Sequence, residues 1–341
     1  MDNILEVKNL RVSFGGSAEA VRGISFSLGV GEVLAIVGES GSGKSVSARA
    51  VIGILPDGAK CSGEVVFRGM NIISLGEREG AAIRGDGIAM VFQDPLSALN
   101  PTVKVGKQIS EALRLRNRKM KPAEARARAI ELMREVGIKD AERRYSEYPF
   151  QFSGGMRQRI VIAIALALDP EVLICDEPTT ALDVTVEAQI LELIERLRRK
   201  RGLSVIFITH DLGVVARVAD RVAVMYAGRI VEYGTVEEIF FSPAHPYTWA
   251  LFSSAPTLSS KGRLEAIPGF VPSIGELGDA DAFAPRNKYA LAIDYELEPP
   301  TFALSETHGV ASWLYHPSAA DASLPSELRD KIKGRGRVDE A

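Results

Sequence analysis

The chain has 341 residues, 46% of them hydrophobic, which is enough for a large core and a second, smaller unit. Its 41 basic and 44 acidic residues give a formal net charge of -3, so no nucleic-acid partner is expected. The two cysteines exclude a disulfide framework and a cysteine-rich metal site, and they fit a reducing cytoplasm.

Neither a membrane-spanning segment nor a signal peptide is predicted. The longest uninterrupted apolar run, Ile160 to Leu168, is far shorter than the about 20 residues that a spanning helix needs. The first ten residues contain Asp2, Glu6 and Lys8 and lack an apolar core. We therefore expect a chain that does not cross a membrane.

Residues 4–37 are predicted to form strands. Alternating apolar and polar residues at 24–28 indicate a strand with one buried face. Phe14 comes just before a turn marked by two glycines. By itself Phe14 is better interpreted as a core aromatic than as a platform for a nucleotide base.

A glycine-rich loop follows the apolar run 33–37 and precedes a predicted helix from Ser45 to Ile54. It fits the phosphate-binding pattern G-x-x-x-x-G-K-S with the residues Gly38-Glu39-Ser40-Gly41-Ser42-Gly43-Lys44-Ser45. The glycines allow several backbone N–H groups to face one point, and the helix adds its positive end. We expect Lys44 to reach the β- and γ-phosphates of a nucleotide and Ser45 to hold Mg²⁺.

Further strands are predicted at Gly63–Phe67 and Ile88–Phe92. Gln93 ends the second of them. A glutamine at this position can contact a metal or a water, or it can be an ordinary turn residue. Helical spacing of apolar residues then predicts helices from Val105 to Arg116 and from Pro122 to Val136.

Ser153-Gly154-Gly155 precede a predicted helix, Met156 to Leu168, that is apolar on nearly every side and therefore buried. The start of this helix fits a second anion-binding site. It fits equally well an ordinary helix N-cap, in which the glycines allow a tight turn into the helix. The pattern alone leaves both interpretations open.

A buried strand, Val172 to Cys175, leads into two acidic residues. Asp176 is placed to hold the Mg²⁺ shell, and Glu177 to polarise a water against the γ-phosphate. Either the glycine loop or the acidic strand end alone is compatible with a purely structural role. Together, in this order, they predict nucleotide binding.

A helix is predicted from Val184 to about Arg199, a strand from Ser204 to Ile208 and a hairpin at 221–233. His210 follows the strand at the sheet edge where ligands bind in open α/β sheets, the same edge as the acidic pair. From about Phe241 prolines recur and secondary structure is hard to predict. The charged end, 330–341, is predicted to be disordered.

Several motifs follow one another along the first 240 residues: the loop at 38–45, Gln93, Phe152 to Met156, Asp176-Glu177, Ala181-Leu182-Asp183 and His210. Their order resembles that of ATP-binding-cassette (ABC) ATPases; other P-loop ATPases lack the serine-glycine-glycine helix start. The resemblance implies an α/β fold with an ABC-type P-loop ATPase core, an antiparallel β subdomain and a helical subdomain at about 94–155. A C-terminal extension at 241–341 would follow this domain of residues 1–240.

A narrower resemblance covers nearly the whole chain, through Phe92 to Pro95, Leu99 to Pro101, Phe152 to Arg159, Asp176 to Thr185 and His245 to Thr248. These segments look like the ATP-binding subunits of bacterial dipeptide and oligopeptide importers, a subfamily that includes nickel and glutathione importers. Phe150 departs from the family, which often has histidine there.

The resemblance implies a role for each residue that its own pattern left open. Phe14 matches the aromatic that stacks on adenine, and Gln93 matches the residue that senses Mg²⁺ and contacts the membrane subunit. His210 matches the histidine that contacts the γ-phosphate, and Asp183 the loop that crosses to the partner. Ser153, Gly154 and Gly155 match the signature that binds the γ-phosphate held by the opposite subunit.

The implied assembly is a sandwich of two cassettes, in which a second ABC ATP-binding subunit, a copy or a paralogue, encloses ATP. Two transmembrane permease subunits would dock on the helical region 94–150, and an extracytoplasmic substrate-binding protein would deliver the substrate. The chain is then expected on the cytoplasmic face of the inner (plasma) membrane. The alternative is a soluble cassette ATPase of repair, translation or chromosome handling, but such proteins usually carry two cassettes or a long coiled coil.

No iron–sulfur cluster is expected in the extension. The subfamily commonly places four cysteine ligands there, and the matching positions are Asp281, Asn287, Asp294 and Ser312, which lack the required thiols. We interpret them as solvated loop residues in preference to a Ca²⁺ site. Burial of the extension's large apolar side chains cannot by itself offset the entropy lost when the segment is ordered. We therefore expect the extension to dock on residues 1–240 or on a partner, and otherwise to stay mobile.

Overall fold

The computed structural model describes residues 2–15, 18–75, 77–180, 182–254, 267–273 and 278–319. The strands are β1 (Asn3–Phe14), β2 (Ala18–Gly29), β3 (Val33–Val37), β4 (Ala59–Phe67), β5 (Met70–Asn71), β6 (Ile88–Val91), β7 (Val172–Asp176), β8 (Ser204–Thr209), β9 (Arg221–Tyr226), β10 (Arg229–Thr235), β11 (Thr301–Ala303) and β12 (Gly309–Ala311). The predicted disorder at 330–341 concerns residues outside these ranges.

The α-helices of the described residues lie within the first 254 positions, and five of them follow one another between β6 and β7. They are α1 (Lys44–Ile52), α2 (Glu77–Asp86), α3 (Pro95–Ala98), α4 (Val105–Arg116), α5 (Pro122–Glu135), α6 (Ala141–Arg144), α7 (Gly154–Ala167), α8 (Val184–Arg201), α9 (Leu212–Val218), α10 (Val236–Phe241) and α11 (Pro246–Ser254). Within the described residues, none of these helices has the length and apolar composition needed to cross a membrane.

Two sheets organise the fold. A four-stranded antiparallel sheet has the order β2-β1-β4-β5, and an eight-stranded sheet has the order β11-β12-β10-β9-β3-β8-β7-β6. The five strands from β9 to β6 are parallel, and the strand residues of β3, β7 and β8 are buried throughout. Continuous apolar strands of this kind form because both faces of a parallel sheet are covered. Their carboxyl ends bring the predicted site residues to one edge.

The α/β fold with an antiparallel sheet and a helical region is confirmed. One core lies between the large sheet and the helices α4, α5, α7 and α8, and a second joins the antiparallel sheet to α1 and the other face of the large sheet. Apolar spacing predicted α4, α5 and α8 to within two residues at each end. It did not predict α2, and it did not predict α9 or α11, which are short and pack in a third core with residues from elsewhere in the sequence.

The described part of the C-terminal extension docks on the first 240 residues. Its strand β12 pairs with β10, placing Val310 beside Glu232. The fully buried Glu232 carboxylate accepts hydrogen bonds from the backbone N–H groups of Ala244 (2.6 Å) and His245 (2.9 Å) and lies 2.8 Å from Nε2 of His308. These contacts explain the docking, since a buried carboxylate requires several partners.

The interpretation of four extension residues as solvated is wrong. Asp281, Asn287, Asp294 and Ser312 are only 8%, 9%, 2% and 4% exposed. Each accepts a hydrogen bond from a nearby backbone N–H: from Phe283 (3.0 Å), Tyr289 (2.9 Å), Leu291 (2.6 Å) and Leu314 (3.4 Å), respectively. These local turns satisfy the polar side chains, so that burial is tolerated.

Candidate nucleotide-binding and catalytic site

The glycine-rich loop connects β3 to α1 and requires glycine at both ends. At Gly38 (φ 155°) a Cβ would lie 2.1 Å from the carbonyl oxygen of Met225. At Gly43 (φ 100°) it would lie 2.6 Å from the carbonyl oxygen of Ala20. Gly41 also has a left-handed φ of 81°. The curled backbone predicted for residues 38–45 is therefore present at the start of α1, where N–H groups favour phosphate.

Lys44 lies within this loop rather than extending into solvent. Its side chain is buried, and Nζ donates to the carbonyl oxygens of Gly38 and Glu39, both at 2.8 Å. A longer bond of 3.3 Å reaches Oγ of Ser42. Burial lowers the pKa of the Lys44 ammonium, while the nearby carboxylates of Glu177, Asp176 and Glu39 act in the opposite direction.

Ser45 and Asp176 meet across the sheet edge. Oγ of Ser45 donates a hydrogen bond of 2.7 Å to Oδ1 of Asp176, which is 2% exposed. Burial raises the pKa of Asp176, and the bond from Ser45 partly opposes this effect. A hydroxyl and a carboxylate at one point are hard oxygen ligands of the kind that Mg²⁺ prefers, so this pair fits a magnesium ion.

Glu177 is held by three side chains from different elements. Its Oε2 accepts hydrogen bonds from Nε2 of Gln93 (3.0 Å) and from Oγ1 of Thr180 (2.9 Å). Its Oε1 lies 3.4 Å from Nδ1 of His210. The backbone of Glu177 has a left-handed φ of 46°, a conformation that is uncommon outside glycine and often marks functional sites. The carboxylate is thus fixed at the edge where Asp176 ends β7.

Phe14 lies on the hairpin that borders the phosphate-binding loop. This aromatic ends β1 opposite Ala18 and Ala59 and is partly buried against the second core. The same hairpin carries Ala20, whose carbonyl oxygen faces Gly43. Phe14 therefore belongs to the strand pair that borders the phosphate loop, and its role as a base platform stays a prediction.

The signature residues form a second group around the starts of α7 and α8. Ser153 caps α7 by accepting from the N–H of Met156 at 3.4 Å, and Asp183 caps α8 by accepting from the N–H of Val186 at 3.0 Å. A Cβ at Gly155 would lie 2.4 Å from Cγ1 of Val186, so the two helix starts touch there. Ser153, Gly154 and Asp183 are exposed and available to a partner.

The predicted residues thus fall into two sets. The structure brings together Lys44, Ser45, Gln93, Asp176, Glu177 and His210 at the carboxyl ends of the strands. It places Ser153, Gly154 and Asp183 on the surface formed by the α7 and α8 starts, and it buries Gly155 where these two helices touch. Sequence reasoning missed Thr180, although a hydroxyl three residues after an acidic residue at a strand end is a usable signal.

The sequence of the chain matches the ABC transporter family over residues 21–180 and the oligopeptide/dipeptide transporter C-terminal region over residues 231–293. It is 54% identical over 337 residues to the oligopeptide transport ATP-binding protein OppD of Bacillus subtilis (strain 168), covering 97% of this chain and 94% of OppD. The chain belongs to the ABC transporter ATP-binding proteins.

Further similarities agree with this membership. The dipeptide transport ATP-binding protein DppD of Lactococcus lactis subsp. cremoris (strain MG1363) is 55% identical over 323 residues, with 93% of each chain covered. The fold is similar to a solved dimeric, post-hydrolysis structure of the ATP-binding cassette MJ0796 bound to ADP and Pi. The TM-score is 0.61 at 29% identity, covering 68% of this chain and 98% of that chain. As a member of this ABC family, the chain is an ATPase.

Proposed function

We propose that this chain is the ATP-hydrolysing subunit of an ABC importer that takes up peptides or a related small solute. One observation carries the proposal: the similarity to peptide transport ATP-binding proteins covers 97% of the chain and therefore includes the C-terminal extension. The cluster around Glu177 supports a chain that turns over ATP rather than one that only binds it.

In the proposed reaction, Phe14 stacks on the adenine and the loop 38–45 holds the phosphates, with Lys44 on the β- and γ-phosphates. Glu177 accepts a proton from a water that adds to the γ-phosphorus; the bond from that phosphorus to the ADP oxygen breaks, giving ADP and inorganic phosphate.

Two more side chains would complete the γ-phosphate site. His210 contacts the γ-phosphate, and Gln93 holds Glu177 while sensing the metal site. Ser45, Asp176 and Gln93 would hold Mg²⁺, which when bound neutralises charge on the phosphate oxygens.

A second ABC ATP-binding subunit, a copy or a paralogue, would complete each site. Its Ser153, Gly154 and Gly155 would bind the γ-phosphate from the opposite side, and its Asp183 would lie in the crossing loop. Support comes from the exposure of Ser153, Gly154 and Asp183 beside one another on the surface of this chain. The dimeric state of MJ0796 bound to ADP and Pi agrees with such an arrangement.

Two transmembrane permease subunits would dock on the helical region 94–150, and an extracytoplasmic substrate-binding protein would supply the solute. Phe92, Leu96 and Phe150 lie at or beside the ends of this region and are 36%, 59% and 69% exposed. Exposed large apolar side chains support contact with a protein partner. The chain would then act as a peripheral subunit on the cytoplasmic face of the inner (plasma) membrane.

Affinity purification of the full chain from solubilised membranes tests this assignment. We expect permease subunits to co-purify, and we expect the ATPase rate per chain to rise with chain concentration or with an added second cassette. A strain lacking the chain should lose uptake of a labelled peptide. Co-purification with ribosomes or DNA repair proteins instead, with intact peptide uptake in the deletion strain, would favour the soluble cassette ATPase.

A further inference from the structure

The C-terminal extension reaches the phosphate-binding loop through Arg286. Its Nη1 donates to Oε2 of Glu39 at 2.7 Å, and its Nη2 donates to Oε1 at 3.0 Å, across 247 residues of sequence. The Arg286 side chain is only 5% exposed. Bidentate pairing of this kind fixes orientation as well as distance, and burial of the Arg286 side of the pair strengthens it, although Glu39 is 29% exposed.

Arg286 is itself held rigidly. Its Nε donates to the carbonyl oxygen of Pro268 (2.8 Å), and Nη1 also reaches the hydroxyl of Tyr226 (3.2 Å). The guanidinium lies 5.7 Å from the centroid of the Tyr226 ring. The planar group therefore has acceptors on both of its edges, and a lysine could not make all of these bonds.

A second contact fixes the backbone of the same loop residue. The N–H of Glu39 donates to the hydroxyl of Tyr247 at 2.8 Å. Tyr247 is fully buried on α11, and its ring packs against Tyr226 (4.6 Å between centroids) and Phe283 of the extension (5.4 Å). The extension thus supports both links to Glu39.

Glu39 transmits this support to the phosphate ligand. Its carbonyl oxygen accepts hydrogen bonds from Nζ of Lys44 at 2.8 Å and from the N–H of Ser42 at 3.2 Å. Glu39 is consequently held at its side chain, its N–H and its carbonyl group. When a glycine-rich loop is ordered before the nucleotide binds, binding does not have to offset the loop's loss of conformational entropy.

We propose that Arg286 is a positioning residue for the phosphate-binding loop, through which the docked C-terminal extension increases the affinity of the site for ATP. The inference rests on the proposed role of the loop 38–45 in binding ATP. It has a reciprocal consequence: ATP binding must stabilise the docked extension by the same factor.

The test measures nucleotide binding by the full chain and its Arg286→Gln variant with a fluorescent ATP analogue and Mg²⁺. We expect the dissociation constant to rise between about 5- and 150-fold, the range of typical coupling between sites, with kcat at saturating ATP changed far less. Arg286→Lys should give an intermediate value. Tyr247→Phe, which removes only the hydroxyl, should also weaken binding.

Arg229→Gln is the matched control. Arg229 also joins the core to the extension, through a 2.5 Å contact to Glu298, and Glu298 keeps its second partner Arg22 at 2.6 Å. We expect this variant to leave the dissociation constant unchanged. If Arg229→Gln and Arg286→Gln raise the dissociation constant equally, the proposal is overturned. Both substitutions would then act only by weakening the docking of the extension.

Hydrogen exchange provides the second readout. In the parent chain, MgATP should slow exchange of the backbone amides at 281–297, and this effect should be lost in Arg286→Gln. A variant that exchanges faster and melts earlier yet binds ATP as tightly as the parent would contradict the proposal. Lys44→Ala separates the two hypotheses: if it binds ATP as well as the parent chain, the proposed loop site itself is wrong.

Discussion

The amide of Gln93 donates a 3.0 Å hydrogen bond to the carboxylate of Glu177, joining the end of β6 to the end of β7 across 84 residues of sequence. Gln93 opens the helical region proposed as the permease-docking surface, and Glu177 is the proposed general base. A displacement of the helical region would therefore move Gln93, which donates the hydrogen bond to the proposed base Glu177. In the proposed assembly, this contact would be a direct route by which permease movement affects hydrolysis.

Replacement of the proposed base should abolish turnover without abolishing binding. Glu177→Gln keeps the size of the side chain and removes its ability to accept a proton, so we expect kcat for ATP hydrolysis to fall about 10²–10⁴-fold. ATP affinity should be retained, and the dimer should accumulate in the presence of ATP. Glu192→Gln, on the exposed face of α8, is the control. Hydrolysis by Glu177→Gln at the parent rate would disprove the assignment.

Thr180 should act as a positioning residue for this base. Thr180→Val removes the hydroxyl that donates to Glu177 at 2.9 Å and preserves the shape of the side chain. A hydrogen bond to a charged group contributes about 1.5–3 kcal/mol, so we expect kcat to fall about tenfold or more with KM nearly unchanged. The double variant Thr180→Val, Glu177→Gln should be no slower than Glu177→Gln alone. An additive loss would show that Thr180 acts independently of Glu177.

The two signature glycines should respond differently to alanine. At Gly155 the added Cβ would lie 2.4 Å from Cγ1 of Val186, and overpacking of this kind costs about 1–3 kcal/mol. At Gly154 the nearest atom would be Cδ2 of Leu182 at 3.5 Å, an ordinary contact. We expect Gly155→Ala to lower Tm and Gly154→Ala to leave it unchanged, as thermal unfolding would measure.

Activity separates the structural and binding roles of the same glycines. Gly154→Ala should lower ATP hydrolysis by up to about 10²-fold, because its methyl group would occupy the surface proposed to face the partner's γ-phosphate. Val186→Ala should restore the stability of Gly155→Ala. Full activity of Gly154→Ala would argue that the α7 start is only a helix cap.

Local sequence patterns predicted much of the cluster of residues at the carboxyl ends of the strands. The loop 38–45 and the pair Asp176-Glu177 were predictable because each combines a short motif with the strand that must precede it. His210 was predictable because parallel strands end at one edge. Thr180 was not predicted, although its spacing of three residues from Glu177 was a signal; the turn between them decides whether the hydroxyl reaches the carboxylate. The contact of Arg286 with Glu39 could not be predicted, because neither the spacing of the two residues nor the sequence around Arg286 forms a known motif.

Asp281 should make the stability of the protein depend on pH. Burial raises the pKa of this carboxyl from 3.8 to about 6, and nearby Asp294 and Glu298 add to the shift. Because the folded pKa lies above the unfolded one, ionisation destabilises the fold as pH rises from about 4 to 7. The difference between the unfolded and folded pKa values of Asp281 corresponds to a loss of about 3 kcal/mol of folding stability at pH 7.

Asp281→Asn should remove this cost while keeping an oxygen that can accept from the N–H of Phe283. We expect the variant to be more stable than the parent at pH 7 and to lose that advantage near pH 4, as denaturant unfolding at several pH values would measure. Asp279→Asn, an exposed neighbour, should change little. An equal stability difference at both pH values would refute a role for ionisation of Asp281.

The extension should be purified without an iron–sulfur cluster. Clusters of this type are held by cysteine thiolates, whereas the four matching positions are Asp281, Asn287, Asp294 and Ser312. In the structure each of these side chains already accepts a hydrogen bond from a backbone N–H group two or three residues away. Each therefore has a structural role that requires no cluster. The described part of the extension also docks through β12 and through the contacts of the buried Glu232. Iron and acid-labile sulfide analysis of protein prepared without oxygen should find neither in stoichiometric amount, and reconstitution with iron and sulfide should add none; one cluster per chain would overturn this expectation.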